Sequence, residues 1–250
     1  MSFTNTASDE LRDILTKYCN HYRNIPDIER NIWNLLTKVS EDLRYELLSS
    51  ITDRDIGYTV LTLAAGRGHT ELCVTLLSSL PPADRLKLIL SNKYTALHVA
   101  ALEGHTETVS GILNCLTAEQ QLQLLFTQNS FGNTALHDAA RMGHTETVKT
   151  LLDNLTPEQQ LQLLFTQDSD GDTALHYAAR KGHTETVKTM LHNLTPEQQL
   201  QILSVQNKKG MTASEESARF YTNSDTMRTL EHYQKEAQYG VNYRKFALFT

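Results

Sequence analysis

Positive charge, cysteine and long apolar runs are all scarce in this chain, and each shortage removes a class of function. Lys and Arg number 23 against 29 Asp and Glu, a formal charge of −6. Nucleic acid and anionic membrane surfaces select concentrated positive charge, so neither is expected as the main partner. No apolar run approaches the ~20 residues that a membrane span needs, so no membrane insertion is expected. Residues 1–10 carry neither a basic region nor an apolar core, so no export signal is expected either. The cysteines, Cys19, Cys73 and Cys115, are odd in number, far apart and without a CxxC pair. That pattern predicts buried, reduced thiols and a reducing, cytoplasmic compartment. Asn154 and Asn193 each open an Asn-Leu-Thr triplet, which in the absence of an export signal reads as a by-product of repetition.

Catalytic signatures are missing too. There is no Gly-rich phosphate loop, no GxSxG and no HExxH. Cys19 lies near His21, but adjacency on a helix is not a nucleophile–base geometry. Asp168-Ser-Asp-Gly-Asp172 opens like a calcium loop, which needs Gly at position 6 and Glu at position 12. Here Gly171 stands at the fourth place and Ala179 at the twelfth, so a β-turn is the reading. No metal, no cofactor and no catalysis are expected.

What the chain does have is repetition. Thr95-Ala-Leu-His98, Thr134-Ala-Leu-His137, Thr173-Ala-Leu-His176 and a worn Thr212-Ala-Ser-Glu215 follow one another at a spacing of 39 residues. A fixed period in that range predicts a solenoid of stacked units. Residues 134–172 and 173–211 match at 28 of 39 positions. Within the unit, Thr134 is a good N-cap, an Ala-rich helix follows, and Gly143 suits the left-handed position after its end. The small Ala135, Ala139 and Ala140 let neighbouring helices approach closely. Val148, Leu151, Leu152 and Leu155 then mark the apolar face of a second helix. A third, short helix is predicted after Thr156, with Pro157 in its first turn, Gln159 completing a capping box and Leu161, Leu164 and Phe165 as its apolar stripe. Thr117-Ala-Glu-Gln120 and Thr195-Pro-Glu-Gln198 repeat the device.

The Thr-Ala-Leu-His start, Ala-Ala, Gly-His and Glu-Thr-Val with Leu-Leu together resemble the ankyrin repeat. The family's usual Pro is replaced by Ala96, Ala135 and Ala174. The resemblance implies an all-α ankyrin-repeat solenoid with short β-hairpin or turn fingers and, in this chain, an extra third helix per repeat. The long period is similar to that of ankyrin proteins from bacteria that live inside eukaryotic cells, which implies a host-directed effector acting in the host cytosol.

Residues 1–40 are expected to be an N-terminal helical cap, with a helix over Asp9–Tyr22 and Trp33 anchoring the junction. Residues 41–233 are expected to hold the repeats, with copies starting near 58, 95, 134 and 173 and a degenerate capping copy near 212. The tail, 234–250, carries Tyr239, Tyr243, Phe246 and Phe249 and either folds back on the last repeat or serves as a docking segment.

His69, His105, His144 and His183 form one column, and His98, His137 and His176 another. The resemblance implies that they brace helix starts and inter-repeat turns. Helices stacked ~8–10 Å apart do not bring one column's ligands onto a single ion. The resemblance also implies a non-enzymatic module that holds a protein partner in the concave groove, on the finger tips and exposed first-helix ends. Those positions are Lys93, Tyr94, Leu102 and Glu103; Ser130, Phe131, Asn133, Asp138, Arg141 and Met142; Ser169, Asp170, Asp172, Tyr177, Arg180 and Lys181; and Lys208, Lys209 and Met211. Phe131, Arg141, Tyr177 and Arg180 are of the types that carry binding energy. The module is expected to be monomeric. The alternatives are a targeting or scaffold part of a larger enzyme, and a purely structural array with no specific partner.

Overall fold

The computed structural model describes residues 2–20, 28–52, 58–220 and 225–247. His21, Tyr22 and Phe249, and the side chains of Tyr243 and Phe246, lie outside that description. The described residues are helical or turn, with one isolated β-bridge between Thr52 and Thr59. The architecture is therefore all-α. The chain divides into two compact units, Met1–Leu124 and Leu125–Thr250.

The N-terminal unit opens with α1 (Ser2–Asn20), which starts seven residues earlier than the sequence suggested. It buries Leu11, Leu15 and Tyr18, one helical face at i, i+4 and i+7. Next come α2 (Ile28–Leu36) and α3 (Glu41–Ser50), the second and third helices of an incomplete repeat. Trp33 does not anchor this junction, because it is 47% exposed. Ile32, Leu35 and Leu36 face the core, and Trp33 lies about 100° round the helix from Ile32. Two three-helix repeats follow: α4 (Val60–Gly66), α5 (Thr70–Ser78) and α6 (Pro82–Ile89), then α7 (Ala96–Glu103), α8 (Thr106–Asn114) and α9 (Ala118–Leu125). First helix packs on first helix, α4 on α7, and second on second, α5 on α8. Thr59 and Thr95 cap α4 and α7 through their side chains. Cys19 and Cys73 are buried free thiols, whereas Cys115, at the end of α8, is partly exposed.

The C-terminal unit holds α10 (Ala135–Met142), α11 (Thr145–Asp153) and α12 (Pro157–Phe165), then α13 (Ala174–Lys181), α14 (Thr184–Leu191) and α15 (Pro196–Leu203). It ends with α16 (Ala213–Phe220) and α17 (Asp225–Ala247). α13 lies between α10 and α16, and α14 packs on both α11 and α17. Close stacking follows from Ala135, Ala139, Ala140, Ala174, Ala178, Ala179 and Ala213, all buried. Val148, Leu151, Leu152 and Leu155 are buried as expected. Each such side chain removed from water contributes roughly 1.5–3 kcal/mol before conformational entropy is subtracted.

The third helix keeps its predicted caps. Thr156 with Gln159, and Thr195 with Gln198, form capping boxes. Its buried pair is Leu163 and Leu164, however, while Leu161 and Phe165 are half-buried. A nine-residue helix lying against a neighbour needs only a narrow contact strip, and the strip falls one residue off the predicted stripe. α17 runs on through residue 247 and packs against α15. Ala237 is buried on that face, and a Cβ on Gly240 would meet Pro196 Cγ at 3.0 Å. Tyr239 points outward and is exposed.

Candidate partner-binding face

The fingers of the C-terminal unit are turns rather than hairpins. Asn129 Oδ1 accepts from the backbone N–H of Phe131 and Asn133, and Asp168 Oδ1 does the same for Asp170 and Asp172. Asn207 repeats the pattern with Lys209 and Met211. A side-chain oxygen holding two N–H groups closes a five-residue loop without any strand pairing. The Asp168 carboxylate thus serves the turn, and among the described residues no group of three or more His, Cys, Asp or Glu is placed to hold a metal ion.

Neighbouring fingers are stitched together. Ser169 N donates to Phe131 O, and Lys208 N donates to Asp170 O, each at 3.0 Å. Gln128 and Gln167 each send Nε2 to the next finger, onto Gln167 O and Gln206 O at 3.0 Å. Histidines tie each finger to the first helix. The N–H of Thr134 donates to His137 Nδ1, so Nε2 carries the proton and donates to Asp172 O at 3.2 Å. His176 does the same with Thr173 and Met211. In the other column, His183 Nε2 pairs with Arg141 O and His105 Nε2 with Gly66 O. Burial pushes His137 from 6.5 down to about 4, against the opposing pull of Asp168 and of the Asp172 carbonyl.

Behind the finger tips lies a charged network. Arg180 donates to Asp172 Oδ2 at 2.5 Å and to Glu216 Oε2 at 2.9 Å. Asn207 Nδ2 donates to the other oxygens of both carboxylates, at 2.8 and 3.0 Å. Tyr177 OH donates to Asp168 Oδ2 at 2.7 Å, and Arg180 lies over the Tyr177 ring. Burial raises the Glu216 carboxyl, but the Arg180 hydrogen bond and charge, with Asn207, outweigh it and hold the group below its usual range. Burial and the Asp168 carboxylate raise the Tyr177 phenol.

The sequence-selected positions therefore separate. Asn133 is buried in its turn, Asp172 in the network, and Asp138 on α10 beside Arg141. Tyr177 and Arg180, picked as anchors, spend their polar groups internally, and the Arg180 side chain is only 19% exposed. Phe131 and Met142 are open to solvent at 69% and 50%. Ser130, Ser169, Asp170, Lys181, Lys208 and Lys209 are exposed, and Met211 is half-buried. Arg141 is 35% exposed and makes a single long contact, 3.4 Å, to Asp138 Oδ1. In the N-terminal unit, Lys93 and Glu103 are exposed and Leu102 is half-buried. Tyr94 stacks between Tyr58 and His98. The network residues Asn207 and Glu216 were missed by sequence reading. Aligning the repeats would have found them, because Glu216 stands where the earlier copies carry Asp138 and Tyr177.

An open cleft of about 500 Å³ is lined by Leu152, Leu164, Met190, Leu194 and Tyr233, with Glu185 and Lys188 beside them. Lys188 pairs with Glu185 there at 2.7 Å, and Glu146, Lys149 and Asp153 also line it.

Stacked helix pairs, left-handed glycines after the first helices, and turn fingers hydrogen-bonded one to the next specify the architecture. The family model for ankyrin repeats (3 copies) matches residues 35–123, 61–163, 118–202 and 156–240. The chain belongs to the ankyrin-repeat family. No curated protein matches it. Ankyrin repeats are protein–protein interaction modules, so a protein partner is implied. Among the described residues, no helix of this ankyrin-repeat protein is long and apolar enough to cross a membrane.

Proposed function

We propose that the protein is a non-enzymatic interaction module that holds one protein partner on the finger tips and first-helix ends of its C-terminal unit. The observation that carries this reading is the exposure of Phe131 and Met142 beside the half-exposed Arg141, on a backbone fixed by the finger hydrogen bonds. Large apolar side chains on a rigid, polar-rimmed surface gain most when a partner covers them. The long repeat, similar to those of ankyrin proteins from bacteria living inside eukaryotic cells, supports the narrower reading of an effector acting on a host protein in the host cytosol.

The test is affinity capture from eukaryotic cell lysate with the intact chain and with F131A/R141A/M142A. The variant must keep the helical circular dichroism and melting temperature of the parent. A protein captured by the parent and lost from the variant is the expected result. Identical captures by both would place the partner elsewhere on the molecule.

A further inference from the structure

We propose that this face takes an acidic segment of the partner, seated around an apolar anchor. The inference rests on the binding reading above and adds the chemistry of the occupant. The chain as a whole carries a charge of −6, yet the finger and first-helix-end positions that expose Phe131 and Met142 also carry Arg141, Lys181, Lys208 and Lys209, of which Lys208 donates Nζ to Ser169 O at 2.7 Å. The carboxylates that would neutralise these cations are turned inward. Asp172 and Glu216 hold Arg180, Asp168 holds its own turn and Tyr177, and Asp138 is buried. Glu215 accepts from the N–H and hydroxyl of Thr212. Asp170 is the remaining exposed acid of these finger positions.

Arg141 sharpens the argument. It occupies in its repeat the place that Arg180 occupies in the next. Arg180 finds a carboxylate eight residues before it, Asp172, and another 36 residues after it, Glu216. The residues at those offsets from Arg141 are Asn133 and Tyr177, which carry no charge. Its Nε is buried without a hydrogen-bond partner, and its one ion contact is long. The Arg141 side chain is nevertheless 35% exposed, so a partner carboxylate meets the accessible part of the guanidinium rather than the buried Nε and adds the second ion contact that Arg180 has inside the chain. The flanking lysines add long-range attraction that salt screens. Phe131 at the tip supplies the aromatic contact for an apolar side chain of the same segment.

The experiment selects a random dodecapeptide display library on the intact chain. Enriched peptides are then titrated against the parent, K208E/K209E and F131A/M142A, at low and high NaCl. Circular dichroism melts of both variants confirm folding, since all four side chains are exposed. The expected result is enrichment of Asp- and Glu-rich peptides that carry an aliphatic or aromatic residue. Their affinity should fall about tenfold or more in each variant and weaken with salt. Neutral or basic winners that F131A/M142A abolishes overturn the acidic occupant while leaving the binding face in place. Winners indifferent to both variants, or no enrichment, overturn the face and the occupant together.

Discussion

Arg180 on α13 reaches Glu216 on α16, the first helix of the next repeat, with Nε 2.9 Å from Oε2, and so bolts two successive repeats together beneath the proposed partner face. Its second carboxylate, Asp172, comes from the finger of its own repeat. Removing the cation leaves two buried carboxylates without a counter-charge, held by Asn207 alone among the network residues, and a broken buried pair costs about 3–5 kcal/mol. Arg180→Ala should therefore lower the urea midpoint sharply. Arg141→Ala, which removes one 3.4 Å contact to the buried Asp138 where Arg180→Ala removes two shorter ones, should cost less. Equal losses for the two variants would contradict the assigned network.

His137 gives a pH dependence with a definite sign. Its folded-state value of about 4 lies below the ordinary 6.5, so the unfolded chain binds the proton first as pH falls. The neutral ring's contribution is complete above pH 6.5 and is lost progressively down to about 4. A shift of that size corresponds to roughly 3 kcal/mol. The cause is burial of the ring, and a proton on Nδ1 would in addition face the N–H of Thr134, which donates to that atom. His176, lowered mainly by burial, acts in the same direction. Urea titrations at pH 7 and pH 5 should show the drop. His137→Gln should flatten the profile over that window even though it lowers stability at pH 7.

Gly143 and Gly210 separate backbone strain from crowding. Both sit in the left-handed region, at φ +76° and +73°. A Cβ at Gly143 would lie 2.5 Å from His183 Nδ1, whereas one at Gly210 would meet nothing within 4 Å. Gly210→Ala should cost about 1 kcal/mol from the backbone alone. Gly143→Ala should cost about 1–2 kcal/mol more, because His183 must leave its bond to Arg141 O. Thermal melts of the two variants make the comparison.

The fourth residue of the third helix does a job that its position in sequence hides. Arg85 donates Nε to Leu80 O and Nη1 to Cys115 O, closing the end of its own repeat's second helix and that of the next. Arg44 repeats this with Val39 O and Ser79 O. Gln121, Gln160 and Gln199 at the same place reach only carbonyls of their own repeat. Arg85→Gln should lose the bond to the next repeat and cost about 1–2 kcal/mol, and Arg85→Ala should cost more. Denaturant curves that cannot distinguish the two would remove the bridging role.

Helix starts and stops were legible in the chain because each depends on residues three or four apart. Thr156 with Gln159, the Thr-x-x-His caps and Gly143 are complete local sentences. Trp33 and the Leu161–Phe165 stripe misled because periodicity marks an apolar face but not which part of it a neighbour covers. The candidate face was legible as a set of positions. Asn133, Asp138 and Asp172 could not be told from exposed residues, because their turn and ion-pair partners decide their burial.

By itself, then, the sequence determined the period, the helix ends, the turn fingers and the family, all features encoded within about 40 residues. Tertiary structure decided which of two arginines in the same Ala-Ala-Arg motif is spent and which is presented. Arg180 is held inward because its neighbours in space are Asp172 and Glu216, whereas Arg141 has uncharged Asn133 and Tyr177 at those places and keeps one 3.4 Å contact, to Asp138. Ion pairing depends on what stacking brings within a few ångströms, and the same motif meets a different neighbour in each repeat.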